Sequence, residues 1–251
     1  MAVRLASGDA EISVHVAVPG RAVTEVPPAL VLCHGYPSGP GGAVAATASF
    51  PELADRISTE MGWIVMAPAM RGCPPSGGGF SLGNWFRDVE VCVDELTETY
   101  RADGVWVVGF GTGGALALCV GAADERVRGV ASLAAPADFD DWANAPRRLV
   151  QHAREVGILE PDGAVPLDQW QRDLKSMQAV EAAARLAPRP AMLIHGSEDD
   201  VVPPFDARVI ADAHGDAELR MIPGAGHQLR HDPRAVAVLL GWLGRQTSQV
   251  G

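Results

Sequence analysis

The sequence predicts an α/β fold, a mostly parallel central sheet flanked by helices on both faces. Apolar runs recur at residues 29–33, 63–67, 105–110 and 191–195, with a further strand expected at 127–133. Such runs mark strands buried on both faces, as a parallel sheet requires. Stretches with helical spacing separate them, so the chain alternates strand and helix instead of grouping either. The 251 residues fit one large domain or one domain with a modest insertion.

Taken in order, residues 12–18 alternate as a half-buried strand, and Pro27–Pro28 makes a turn into the run ending at His34–Gly35. A helix is expected over 50–61 and a strand over 63–67. Residues 72–83, rich in Gly, Ser and Pro, read as a loop. Residues 84–100 place Phe86, Val89, Val93 and Leu96 on one helical face. The strand at 105–110 runs directly into Gly111–Thr112–Gly113–Gly114 and a helix over 115–123. After the strand at 127–133 the rhythm breaks. Residues 137–186 are polar, helical and carry Trp142 and Trp170, which reads as an insertion over the carboxyl edge of the sheet. Alternation resumes with a strand at 191–195, a helix at 204–214, a strand at 218–222 and a helix at 233–246.

Composition narrows the function. The net charge of −11 argues against nucleic acid, because phosphate contacts need clustered basic residues. The sole lysine, Lys175, lies in a polar, helical stretch, which sets aside Schiff-base chemistry. Cys33, Cys73, Cys92 and Cys119 form no CxxC pair, so neither a zinc ribbon nor a disulfide framework is expected. No histidine sits in HExxH or another metal pattern, and no cofactor is expected. Residues 1–10 lack the apolar run of a secretory leader, and no stretch is long and apolar enough to span a membrane. A cytoplasmic protein with reduced thiols, binding a small-molecule substrate or ligand, is therefore expected; oligomeric state is open.

Four segments carry chemistry: Val31-Leu-Cys-His-Gly-Tyr36, Val108-Gly-Phe-Gly-Thr-Gly-Gly114, His195-Gly-Ser-Glu-Asp-Asp-Val-Val-Pro203 and Ile222-Pro-Gly-Ala-Gly-His227. Each follows an apolar run. Their order resembles the α/β-hydrolase superfamily over essentially the whole chain, with the lid-bearing esterase and serine-aminopeptidase-like group closest in flavour. The resemblance implies a hydrolase core at 1–136 and 187–251 with a helical lid at 137–186, whose Trp142 and Trp170 would face the pocket. It also implies that His227 is the general base and Asp199 its acid partner. The oxyanion hole would be built from the backbone amides of Tyr36 and Thr112.

The departure is at the elbow. The family pattern GxSxG places a serine on a sharp strand-to-helix turn, and here that position is Gly111. Glycine keeps the turn and deletes the nucleophile. Two rival interpretations were open at this level. The glycine run follows a strand and opens a helix like a dinucleotide fingerprint, though its spacing is GxGxGG and no acid follows at the usual distance. Asp199 or Asp200 could instead cap the helix near Pro204. Thr112, Cys33 and Cys73 are the possible substitute nucleophiles. The expected function is then an ester- or amide-type hydrolase scaffold without covalent acyl-enzyme catalysis. The alternatives are a non-catalytic binding protein, or proton abstraction by a His–Asp dyad, as in C–C cleavage or cofactor-free oxygenation.

Overall fold

The computed structural model describes residues 1–20, 26–39 and 41–247. In chain order its elements are β1 (Ala2–Ser7), β2 (Ala10–Ala17), β3 (Ala29–Cys33), α1 (Gly42–Ala46), α2 (Phe50–Met61), β4 (Ile64–Pro68), α3 (Leu82–Glu98), β5 (Val105–Phe110), α4 (Thr112–Ala123) and β6 (Val127–Leu133). There follow α5 (Asp140–Asn144), α6 (Pro146–Glu155), α7 (Leu167–Ser176), α8 (Ala179–Leu186), β7 (Ala191–Gly196), α9 (Pro204–His214), β8 (Glu218–Ile222) and α10 (Pro233–Thr247).

The described strands form one eight-stranded sheet in the order β1-β2-β4-β3-β5-β6-β7-β8. The β1–β2 and β2–β4 pairs are antiparallel, and every other pair is parallel. This is the expected fold class, with one addition: β1 precedes the first anticipated strand. A two-residue turn at Gly8–Asp9 folds it back on β2, pairing Ser7 with Ala10.

Period-two alternation sorts the buried strands between two apolar layers. Ala29, Val31 and Cys33 of β3, with Val105 and Val107 of β5, face the layer covered by α3, α4 and α8. Leu30, Leu32, Trp106, Val108 and Phe110 face the other, covered by α2 and α10. Helices end where the sequence says they should. Ser81 Oγ caps α3 by accepting the Asn84 amide at 3.0 Å, and α2 closes on Gly62 at a φ of 77°.

The register matters for function. Cys33 lies beside Gly109, Gly109 beside Ser132, and Gly196 beside Ile222. The loops leaving β3, β5, β7 and β8 therefore emerge at one carboxyl edge, where open α/β sheets bind ligands. Residues 137–186 hold four helices near that edge. Of these, α8 buries Ala179, Ala182, Ala183 and Leu186 in the α4 layer of the core. Among the described residues no helix is long and apolar enough to cross a membrane.

Candidate functional site

The site is built at the end of β5. Gly109 lies so close to the first turn of α4 that a Cβ there would run into the Gly113 carbonyl, which lets the helix leave the strand abruptly. Gly111, between the two, has φ 55° and ψ −125°, a conformation that side-chain-bearing residues adopt only under strain. Its amide donates to the Leu133 carbonyl at 2.8 Å, and its own carbonyl accepts the Gly114 amide at 2.8 Å. The elbow is thus fixed from both sides. A Cβ built on Gly111 would stand 3.4 Å from His227 Nε2 and 3.7 Å from its Cε1, with no clash.

His227 and Asp199 arrive on neighbouring loops that are tied together. The Glu198 amide donates to the Ala225 carbonyl at 2.9 Å, and the Gly224 amide donates to Ser197 Oγ at 2.8 Å. His227 Nδ1 lies 2.9 Å from Asp199 Oδ2. A carboxylate oxygen accepts, so Nδ1 carries the proton and Nε2 presents a lone pair towards Gly111. Asp199 Oδ1 accepts the amides of Val201 and Val202, each at 2.9 Å. It does not cap α9, whose N-cap is Pro203.

A second imidazole sits behind the acid. His195 Nε2 lies 3.0 Å from the Val202 carbonyl and 3.1 Å from Asp199 Oδ2. Both partners accept, so this nitrogen also carries its proton. The Asp199 side chain is wholly buried, whereas His227 keeps 19% of its side-chain surface exposed. The open edge belongs to the histidine.

The turn after β3 lies opposite. His34 Nδ1 donates to the Gly35 carbonyl at 2.8 Å, and its Nε2 accepts the Met70 amide at 3.0 Å. This clamp joins the turn carrying Tyr36 to the loop after β4. Burial lowers the His34 pKa from 6.5 to about 4, keeping the ring neutral. Among the described residues the Tyr36 and Thr112 amides have no hydrogen-bond acceptor. Both residues line one cleft together with Gly111 and His227.

That cleft has a volume of about 880 Å³. Its far wall includes Trp142, which packs edge-on against Tyr36 at 4.9 Å between ring centres. Trp170 does not share this wall. It is buried at 2% exposure against Phe80, Leu82, Leu149 and Leu174, because its face of α7 turns inward to the core. Two further histidines line the cleft. His152 comes from α6, with its ring 5.8 Å from that of Tyr36, and His231 follows His227 by four residues. Which face of a helix or turn meets a cleft depends on its docking, which spacing alone does not encode.

The candidate substitute thiols lie elsewhere. Cys33 and Cys73 are fully buried and line no part of the cleft. Burial pushes the Cys33 thiol far up, and that of Cys73 up to about 12, so neither supplies a thiolate near neutrality. Thr112 lines the cleft as the first residue of α4. Among the described residues no group of three or more His, Cys, Asp or Glu side chains could hold a metal ion.

Sheet, elbow and facing loops define a recognisable class. Residues 28–156, just over half of the chain, match the family defined by the alpha/beta hydrolase fold, and the chain belongs to that family. No curated protein matches its sequence. Solved structures of similar fold include Est1E from Butyrivibrio proteoclasticus, determined with ferulic acid bound, at 14% identity and a TM-score of 0.71 over 98% of each chain. The meta-cleavage product hydrolase from Pseudomonas fluorescens IP01 superposes with a TM-score of 0.69 at 17% identity, covering 97% of this chain and 98% of its own. Proline iminopeptidase from Mycobacterium smegmatis gives 0.70 at 16% identity over 100% of both. At these identities the likeness is one of fold.

Proposed function

We propose that this protein hydrolyses small esters without a covalent intermediate, using His227 and Asp199 to activate water. The observation that supports this best is the line from the Gly111 Cβ position to His227 Nε2, at 3.4 Å. A serine hydroxyl bonded to that Cβ would lie beside this line, within hydrogen-bond reach of Nε2. With glycine there, a solvent water can occupy the same direction and give its proton to Nε2.

The steps balance. His227 Nε2 takes a proton from water as the oxygen attacks the ester carbon. Negative charge gathers on the former carbonyl oxygen, within reach of the Tyr36 and Thr112 amides. Collapse breaks the bond to the alcohol, which leaves with the proton held on Nε2, and the acid product departs. Asp199 stabilises the transient imidazolium and fixes the ring tautomer.

The arrangement gives up nucleophilic catalysis. Loss of a triad nucleophile costs about 10⁶-fold, while oxyanion stabilisation and binding can retain about 10³–10⁴-fold over water. Short p-nitrophenyl esters test this with three proteins. The parent should turn over slowly and without a burst, and His227→Ala should reduce that rate to background. Gly111→Ser should raise the rate by about 10³-fold or more and trap an acyl group visible by mass spectrometry. Equal rates for parent and His227→Ala would sink hydrolysis and leave ligand binding as the function. A dead, folded Gly111→Ser would show that the elbow does not present its side chain productively.

A further inference from the structure

Among the described residues, two arginines withdrawn from solvent are held by partners within the chain. Arg71, almost wholly buried, donates to Asp88, Asp9 and the Asn84 carbonyl. Half-buried Arg189 donates to the carbonyls of Asp124 and Val127. Arg230 breaks this pattern. It lies in the 3-10 turn Leu229–His231, three residues after His227, and lines the same cleft as Gly111 and Thr112. Its guanidinium stands 6.0 Å from the centre of the Phe50 ring. Its Nε is buried without a hydrogen-bond partner, and among the described residues no carboxylate lies within ion-pair distance. Burial also makes its charge more costly to hold, lowering its pKa.

A half-buried cation with an orphaned donor is unfavourable unless something completes it. We propose that Arg230 is the docking cation for a ligand carboxylate, so that the cleft takes small carboxylate-bearing esters in preference to neutral ones. The word "ester" rests on the hydrolytic reading above; the carboxylate does not. A guanidinium offers parallel N–H groups along one edge, which suits a planar carboxylate in a bidentate pair. A dianionic phosphate fits less well, because the cleft lining carries Asp138, Asp140, Asp141 and Asp206, and Arg230 is the one arginine or lysine among the described lining residues. The turn that carries Arg230 begins two residues after His227, and both residues line the cleft with Gly111, so a docked carboxylate would hold a nearby ester carbonyl towards the elbow.

Calorimetric titration of the parent protein with monoethyl succinate, diethyl succinate, succinate and inorganic phosphate tests this from binding alone, with no rate measured. The monoester should bind at least about tenfold more tightly than the diester, and its affinity should fall as salt rises. Arg230→Gln should weaken the monoester by about 10–100-fold and leave the diester unchanged. Arg230→Lys, which keeps the charge but loses the fork, should fall between. Equal affinities for the two esters, or a folded Arg230→Gln that binds the monoester like the parent, would overturn the assignment. So would phosphate displacing the monoester better than succinate does. Should Arg230→Gln fail to fold, the ester comparison and salt dependence in the parent decide the matter. Binding of the monoester without hydrolysis would keep Arg230 in this role while removing the hydrolytic reading.

Discussion

Asp88 and Asp199 are both buried carboxylates saturated with donors, yet they belong to different kinds of region. Asp88 accepts Ser7 Oγ at 2.7 Å, Arg71 Nε at 2.8 Å and the Arg71 amide at 2.8 Å. Its cation is permanent, and that cation's other donors are engaged by the first turn of α3 and the β1–β2 turn. Asp199 also accepts two backbone amides, but one of its two imidazole partners, His227, turns its second nitrogen to the cleft. Burial and hydrogen-bond count therefore fail to separate anchor from site. What separates them is whether the partner keeps a valence open to something outside the chain.

The largest effect that could break this contrast is catalytic. In the Gly111→Ser background, Asp199→Asn should lower ester turnover by about 10⁴-fold while leaving a folded protein, because the amide favours the wrong imidazole tautomer. Asp88→Ala should do the reverse. Stranding the buried Arg71 charge should cost about 3–5 kcal/mol in urea denaturation. If the two substitutions destabilised the fold equally, the distinction would collapse.

A third buried titratable group sharpens it. His34 is neutral in the fold, with its pKa lowered from 6.5 to about 4. A lowered histidine pKa means the unfolded chain binds the proton first as pH falls. His34 thus contributes its full stability above about pH 6.5 and loses it progressively towards pH 4, by up to about 3 kcal/mol. Denaturation curves of parent and His34→Gln, taken between pH 7 and pH 4, should converge on acidification. Curves that remain parallel would show that His34 carries no such linkage. The smallest effect concerns the elbow. Gly111→Ser should cost about 1–3 kcal/mol of backbone strain, seen as a lower melting temperature even as activity rises. A variant as stable as the parent would mean that the φ of 55° is not enforced by the surrounding structure.

Much of this was legible in the sequence because the signals are local. An apolar run followed by glycines and one polar residue announces a strand end that presents a side chain, and Gly111, Asp199 and His227 each have that signature. They converge because register aligns the strand ends, which follows once the strands are parallel. What was not legible depends on rotation or partnership. Trp170 and Trp142 look alike in polar helical stretches, yet only one faces the cleft. Arg230 and His231 gain their position from a 3-10 turn whose docking no spacing rule specifies. The edge strand β1 was missed although its Gly8–Asp9 turn was in plain view, since six residues of mixed polarity carry little pattern of their own.

The alignment of the strand ends has a further consequence. The cleft draws on segments from Gly35 to His231, spread over most of the chain. No short fragment of the sequence contains it, and it forms where the strand ends come together. A ligand that fits there therefore binds the folded domain, and by mass action it raises the stability of the whole with the logarithm of its concentration over its Kd. Thermal stabilisation by a small-compound collection would then report on the cleft even for a chain that turns over nothing, which suits a protein whose elbow carries no nucleophile.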